Sequence, residues 1–511
     1  MATNLSSHKF MSRILKAALG LVAGLALLHQ AAAFSLWGPA EPWQTAALDY
    51  GTRFWYSFVV LTNGTEYVDA ELGGTKNIGE GSRMNCGVVT YAYDATFLTY
   101  FGADGVKAVD AAMAVLNGLP KVSGSTPNLA EYLTQGNQRV NYSAQALGLL
   151  DLKSFTMTIL LEHMGLSGET HVFDLRERIP VAGSTCDNYY FVILRNFDPV
   201  TYSPTTYVNG ANYTYQIYNS CPPSADVGDA IESYVDPEVL PYASTAVATY
   251  QSLQKGGFYL GLTRDDFGGL RYLYRKNNFN NENLDPTCVA GQSGSPWTIV
   301  VTTNTTTTTA GGTATTVTAT NFQGLLGGVE KINFVKVKYN STLGTAFLTN
   351  TAHFTIPVLT NGQVSSLPVT RTIPAPDIIF TAADLALPSV PPSDIPFART
   401  VTFVTTTVPV SPGGGVLPSV IAPQFVVTFS KVGPIYFNED FYFLSQNQIL
   451  AYPNFIWGSF DGSTNAPIVF PIGSSITTLE DEAASGGGIP FSTWDPVSTN
   501  GPVSAPIIIT Q

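Results

Sequence analysis

Few residues of this chain carry chemistry, and their spacing restricts what they could do. Five His occur in 511 residues, and three lie beyond position 33: His163, His171 and His353. His163 and His171 are eight apart, so they are not the one-turn pair that a helical zinc site needs. The four Cys, Cys86, Cys186, Cys221 and Cys288, have no close CxxC spacing, which disfavours a four-thiolate zinc site. An even set in an exported chain predicts two disulfides. Cys186 and Cys221 bracket an aromatic, alternating stretch (189–218) that reads as a hairpin, so the expected pairs are Cys186–Cys221 and Cys86–Cys288. Acidic runs at Glu439-Asp440 and Glu480-Asp481-Glu482 could touch calcium, but no EF-hand spacing is present, and solvated loops are the simpler reading. Gly291-Gln292-Ser293-Gly294 is not a nucleophile elbow, and no Gly-rich loop leads from a strand into a helix to hold a phosphate. A carboxylate pair for glycoside hydrolysis is a tertiary property that sequence leaves open. The aromatic group Trp37, Trp43, Phe54, Trp55, Tyr56 and Phe58 reads as core packing rather than a sugar platform.

The elements that must position these residues change character along the chain. Val88–Tyr93 reads as a strand. Residues 104–117 read as an amphipathic helix with Val106, Val109, Met113 and Leu116 on one face. Residues 149–166 read as a second helix. Thr263-Arg264-Asp265-Asp266 opens a third with a capping box. From Val289 onward there are six Lys/Arg and eleven Asp/Glu in 223 residues, and the sequence becomes rich in Val, Ile, Thr and Phe punctuated by Pro and Gly. Strands are predicted near 297–302, 329–339, 345–357, 401–410, 424–429 and 434–443. The Thr-rich run 302–320 fits either a solvated loop or a two-sided polar strand. The predicted division is an α+β domain over 34–290, a linker over 291–296, and an all-β, sandwich-like region over 297–511 of one or two domains.

The N-terminus carries an export pattern. Lys9, Arg13 and Lys16 precede an apolar run, Ala17 to Leu28, and Ala31-Ala32-Ala33 supplies small residues for cleavage. About twelve apolar residues are fewer than the roughly 20 that span a bilayer. Residues 1–33 are thus predicted to be a signal peptide, and the protein to be secreted, periplasmic or at the cell surface. Without its three basic residues the chain has 21 Lys/Arg against 37 Asp/Glu, a formal charge of −16. That balance excludes nucleic acid and anionic membranes as electrostatic partners.

Three segments together resemble a matrixin-type metzincin domain over roughly 88–275. "VVTYAYDATFLTYFGADGVKAVDAAMAVLN" (88–117) is similar to the Tyr-containing strand and long helix that open such domains. "TILLEHMGL" (158–166) stands where the zinc helix would be, and "LTRDDFGGLRYLY" (262–274) resembles the family's last helix. The family's zinc site is H-E-x-x-H-x-x-G-x-x-H. Anchored on Gly165, its ligand and base positions fall on Thr158, Ile159, Glu162 and Gly168, none of them His. No Met follows Met164, so the Met-turn is missing as well. The resemblance therefore implies a degenerate domain without zinc and without catalytic residues. The expected function is a secreted or cell-surface non-catalytic protein, binding or structural, whose partner is an extracellular protein or glycan. Two alternatives stand beside it: an active hydrolase, either a metallopeptidase with atypical ligands or a glycoside hydrolase, and a β-sandwich binding protein without enzymatic ancestry. Either the metal content or a glycan screen would separate them.

Overall fold

The computed structural model describes residues 34–36, 67–70, 81–134, 137–166, 172–180, 182–183, 188–194, 196–217, 230–236, 253–285, 287–291, 300–310, 313–341, 343–346, 349–360, 362–382, 400–404, 420–429, 437–438, 456–471 and 508–510. The segment 1–33, Cys186, Cys221, Gly168, His171, the two acidic runs, residues 292–296 and the Trp37–Phe58 aromatic group lie outside them. The chain is a mixed α and β protein, and among the described residues every element after residue 290 is a strand.

Its organising element is a parallel sheet of four strands: β1 (Val88–Tyr93), β2 (Asn333–Lys336), β3 (Ile378–Thr381) and β4 (Phe425–Thr428). Their order in space is β2–β1–β3–β4, and every pairing is parallel. β1 is buried along its whole length, as expected of a strand covered on both faces. Both neighbours of β1 come from beyond residue 290, with Phe334 beside Val89 and Ile379 beside Ala92. One sheet is thus assembled from both sides of the 291–296 segment.

Helix α1 (Ala95–Asn117) follows β1 directly and packs on one face of the sheet. It starts nine residues, about two and a half turns, before the predicted helix. Asp94 accepts from Phe97 N (2.8 Å) and caps it, and the chain continues through Gly102 with φ +58°, a break that only Gly takes without strain. That break is why the sequence pattern is periodic only from residue 104. Val89, Tyr91 and Tyr93 meet Phe97, Phe101, Val109 and Met113 in the main core, joined by Phe380, Phe429 and Trp457. The opposite face of the sheet is covered by a long antiparallel hairpin, Asn350–Thr360 with Gln363–Ile373, through Val88, Ala352 and Ile373. The result is three layers: helices, parallel sheet, hairpin.

Two other helices complete the layer around α1. The predicted helix over 149–166 is a short strand, Leu149–Asp151, followed by α2 (Leu152–His163), because Asp151 takes an extended conformation to cap the helix. The strand pairs in parallel with Ile456–Ser459, where Trp457 meets Phe155 at 5.2 Å between ring centres. α3 (Arg264–Tyr274) has the predicted capping box, Thr263 with Asp266. The hairpin expected over 189–218 is not formed. Asn188–Leu194 pairs with Phe173–Pro180 and Tyr67–Ala70, whereas Ala211–Ile217 pairs with Tyr207–Val208 and Ala230–Tyr234. The alternation was real, but each strand found another partner. The Thr-rich run forms the antiparallel hairpin Val300–Ala310 with Thr313–Leu326.

Candidate functional site: a buried helix and a buried charge cluster

The residues at the zinc-motif positions of α2 face inward. Thr158 and His163 are 0% exposed, and Ile159 and Glu162 are 1% exposed. Every residue of the helix but Lys153 is buried, so it is a core helix rather than the wall of a cleft. At its start, Ser154 N and Oγ both donate to Asp151 Oδ2 (2.9 and 2.5 Å), while Ser154 Oγ accepts from Tyr259 N (2.7 Å). Burial pushes the Asp151 carboxyl up to about 6, against the opposing pull of the two Ser154 bonds. Thr158 returns its hydroxyl to Ser154 O (3.2 Å). Ile159 offers only its backbone.

His163 ends the helix. A helix C-terminus favours positive charge on an imidazole, but the surroundings of this one oppose it. Its ring is stacked on Phe425 of β4, 3.6 Å between centres and 18° from parallel, and its Nδ1–H donates to Ile159 O (2.8 Å). Burial holds its pKa down to about 3, although the bond to Ile159 favours the proton. His163 is therefore a neutral aromatic core residue with Nδ1 as the protonated nitrogen. Glu162 is likewise buried rather than solvated. Gly165 then reverses the chain at φ +107°; a Cβ there would lie 2.2 Å from Ser82 O, so no other residue fits. Tyr274 of α3 donates its hydroxyl to Met164 O (2.7 Å), binding the last helix to this turn. Asp265 accepts from Asn209 N (2.6 Å) and Asp266 from Thr263, so both acids hold backbone in place.

The zinc that intact metzincin domains hold does not fit these residues. A hydroxyl bonded to its own helix, an isoleucine and one buried carboxylate supply no nitrogen ligand set. Among the described residues no group of three His, Cys, Asp or Glu side chains converges on a metal-sized site.

A denser set of polar groups lies on the other face of β1, and sequence reasoning did not single it out. Arg371, in the second strand of the covering hairpin, is 0% exposed. Its Nη1 and Nη2 donate to the two oxygens of Asp377 (2.8 and 2.6 Å), Nη1 also to Val88 O (3.0 Å), and Nε to Thr287 Oγ1 (2.8 Å). Asp377 Oδ2 further accepts from Thr90 N and Thr90 Oγ1 (2.8 and 2.9 Å). Asp285, 3.9 Å from Arg371 Nε, accepts from Thr287. Cys86 and Cys288 border the same cluster. Both are buried and unpaired, so the Cys86–Cys288 disulfide expected from the sequence is not formed in this structure, and burial raises both thiols, Cys288 to about 12. Thiols in that state are poor nucleophiles. A second buried pair, Arg83 with Glu282 (2.9 Å), lies near the end of α3, with Arg83 also donating to the carbonyls of Leu273 and Leu326. The scarcity of charge after residue 290 was the available signal: with so few Lys and Arg, one inside an alternating strand must face a partner.

The carboxyl ends of the parallel strands, where open α/β sheets offer a crevice, are closed by their own groups. Thr96 Oγ1 donates to Asp94 Oδ1 (2.7 Å) and accepts from Ala382 N and Thr381 Oγ1 (both 2.9 Å), and Ser341 Oγ accepts from Ala95 N (3.0 Å). Beneath them, Asp110 accepts from Tyr91 and Tyr93 hydroxyls and from Lys336 Nζ (2.9, 2.7 and 3.0 Å). Each of these groups is satisfied by a neighbour, and the arrangement rigidifies the sheet.

Compared with protein-family models, with curated proteins and with solved structures, the chain matches none.

Proposed function

We propose that this chain is an exported, non-catalytic protein with a binding or structural role, in which a metzincin-like set of helices over 88–275 serves as framework. The observation that carries the reading is the burial of α2. The positions that would hold and activate a zinc-bound water are filled by a hydroxyl, an isoleucine and a buried carboxylate inside the main core. The helices that the resemblance brings together do touch: α1 packs on α2, and Tyr274 of α3 bonds to the turn after α2. The strands that flank β1 come from the β-rich half, so that half supports the framework as well as offering surface. No helix among the described residues is long and apolar enough to cross a membrane. The partner class is an extracellular protein or glycan.

Metal analysis and a peptidase assay on the exported protein test this reading. Expected are less than a tenth of an equivalent of zinc and no activity that chelation removes. One equivalent of zinc, with peptidase activity lost on chelation and restored by metal, overturns it.

A further inference from the structure

The first described residues form a two-residue strand, Phe34–Ser35, followed by the bridge residue Leu36, embedded in the core. Phe34 and Ser35 pair antiparallel with Phe197 and Asn196, and Leu36 bridges to Leu166 immediately after α2. Phe34 is 4% exposed and Leu36 0%. Alternation sends these two inward, while Ser35 bonds to Asn196 Oδ1 (3.0 Å). The Phe34 ring sits among Phe197, Tyr202 and Tyr272, with centres 6.1, 6.2 and 6.0 Å away. Gly269 of α3 makes the space: a Cβ there would lie 2.5 Å from Leu166 and 3.1 Å from the Phe34 ring. A groove floored by Gly269 and walled by three aromatic rings is thus filled by an aromatic–polar–aliphatic tripeptide.

That tripeptide begins at the bond where the export pattern ends, after Ala31-Ala32-Ala33. We propose that this groove is the receptor site for the chain's own processed N-terminus. A leader peptidase hydrolyses the Ala33–Phe34 bond; water supplies the hydroxyl of the Ala33 carboxylate and a proton to the new Phe34 amine. The released Phe34-Ser35-Leu36 then docks and completes the core between α2 and α3. The order follows from reach. Only residues 29–33 separate the apolar run from Phe34, roughly 17 Å when extended. A leader held in a bilayer would keep the groove's occupant pinned near the membrane surface, so cleavage precedes full docking. The cleavage step rests on the export reading above; the groove does not.

Two measurements test the proposal separately. The N-terminus of the exported protein is read by mass spectrometry, and Phe34 is the expected first residue. An intact Met1 would overturn the maturation step and the export reading together. Melting temperatures are then compared for chains beginning at Phe34 and at Trp37, and for Phe34→Ala and Phe34→Leu in the longer chain. Loss of the strand or of the ring is expected to lower the melting point by roughly 3–8 °C. Phe34→Leu should recover most of it. The free tripeptide Phe-Ser-Leu at millimolar concentration should raise the melting point of the Trp37 chain and leave the Phe34 chain unchanged. If both chains melt together, or a mature N-terminus lies beyond Leu36, the groove has no such ligand and the proposal falls.

Discussion

Arg371 and Asp377 face each other through two parallel hydrogen bonds, 2.8 and 2.6 Å, with neither side chain exposed to solvent. They are six residues apart, one near the end of the hairpin strand and the other at the entry to β3, so the pair fixes the corner where the chain passes from the covering layer into the parallel sheet. Thr90 of β1 donates twice to the same Asp377 oxygen. The pair therefore sets register as well as neutralising charge. A buried ion pair of this kind adds little net stability relative to apolar residues, but removing one partner strands the other. Asp377→Ala is expected to destabilise by about 3–5 kcal/mol, read from denaturant midpoints. Arg371→Met combined with Asp377→Leu should destabilise less than Asp377→Ala alone. A double variant worse than the single one would show that the charges themselves are needed.

Cys86 and Cys288 converge on that same guanidinium. Cys288 stands opposite Arg371 in the antiparallel register, and Arg371 bonds to the carbonyl of Val88, two residues beyond Cys86. Each thiol also feels the charges of Arg371, Asp285 and Asp377, and Cys86 feels Cys288. This placement favours the pairing Cys86–Cys288 once the chain meets an oxidising compartment, two thiols giving up two protons and two electrons to a disulfide donor. Closing a loop of this length stabilises by roughly 2–5 kcal/mol. Peptide mapping of the exported protein without reduction should find the Cys86 peptide joined to the Cys288 peptide. Alkylation of both thiols in the unreduced, unfolded protein would refute the pair.

What the sequence made legible was local. The capping box of α3 is specified by four consecutive residues, 263–266, and was found where read. The inward-facing period of α1 was visible only after Gly102, and its aromatic first half, Phe97 and Phe101, was missed because the glycine interrupts the helical pattern. β1, β2 and β4 were recognised as strands and β3 was not, and none of their neighbours was foreseen, since Val89 and Phe334 are paired across 245 residues by nothing that sequence spacing records. The hairpin assigned to 189–218 failed for the same reason: alternation announces a strand but not its partner. The empty zinc positions were legible because a missing imidazole is a matter of residue type. That His163 and Glu162 are sunk in the core was not, because their burial depends on β4, more than 260 residues away.

The acid limb of stability should carry the signature of His163. Its folded pKa, about 3, is depressed below the ordinary 6.5, so the unfolded chain binds the extra proton between those values. Stability from this group is complete above about pH 6.5 and is lost as pH falls toward 3. Asp151 acts in the opposite sense. Its folded pKa, about 6, lies above the ordinary 3.8, so its burial costs stability above pH 6 and that cost disappears as pH falls toward 4. His163→Phe should flatten the loss between pH 6.5 and 4 while keeping the stack on Phe425. Asp151→Asn keeps an N-cap acceptor and should gain most relative to the parent at pH 8. Denaturant midpoints across pH 4–8 for the three proteins check both signs, and unchanged profiles would show that neither group titrates differently on folding.

The sheet order makes a statement about how the chain divides. Composition suggests a boundary at 291–296, but β1 obtains its two neighbours, β2 and β3, from beyond it. A fragment ending at residue 290 would leave β1 with both edges unpaired. It would also uncover Val88 and Thr90, which are buried against the hairpin and against Asp377. Unpaired backbone groups of a fully buried strand are costly, and exposed edges associate. The fragment 34–290 is therefore expected to be unfolded or aggregated alone, and to fold when produced together with 297–511. Cutting the intact protein within 291–296 should leave the two pieces co-eluting in size-exclusion chromatography and separating only in denaturant. A monomeric 34–290 fragment with a cooperative thermal transition would show that the α+β part closes its own sheet, and would return the boundary to the place that composition gave it.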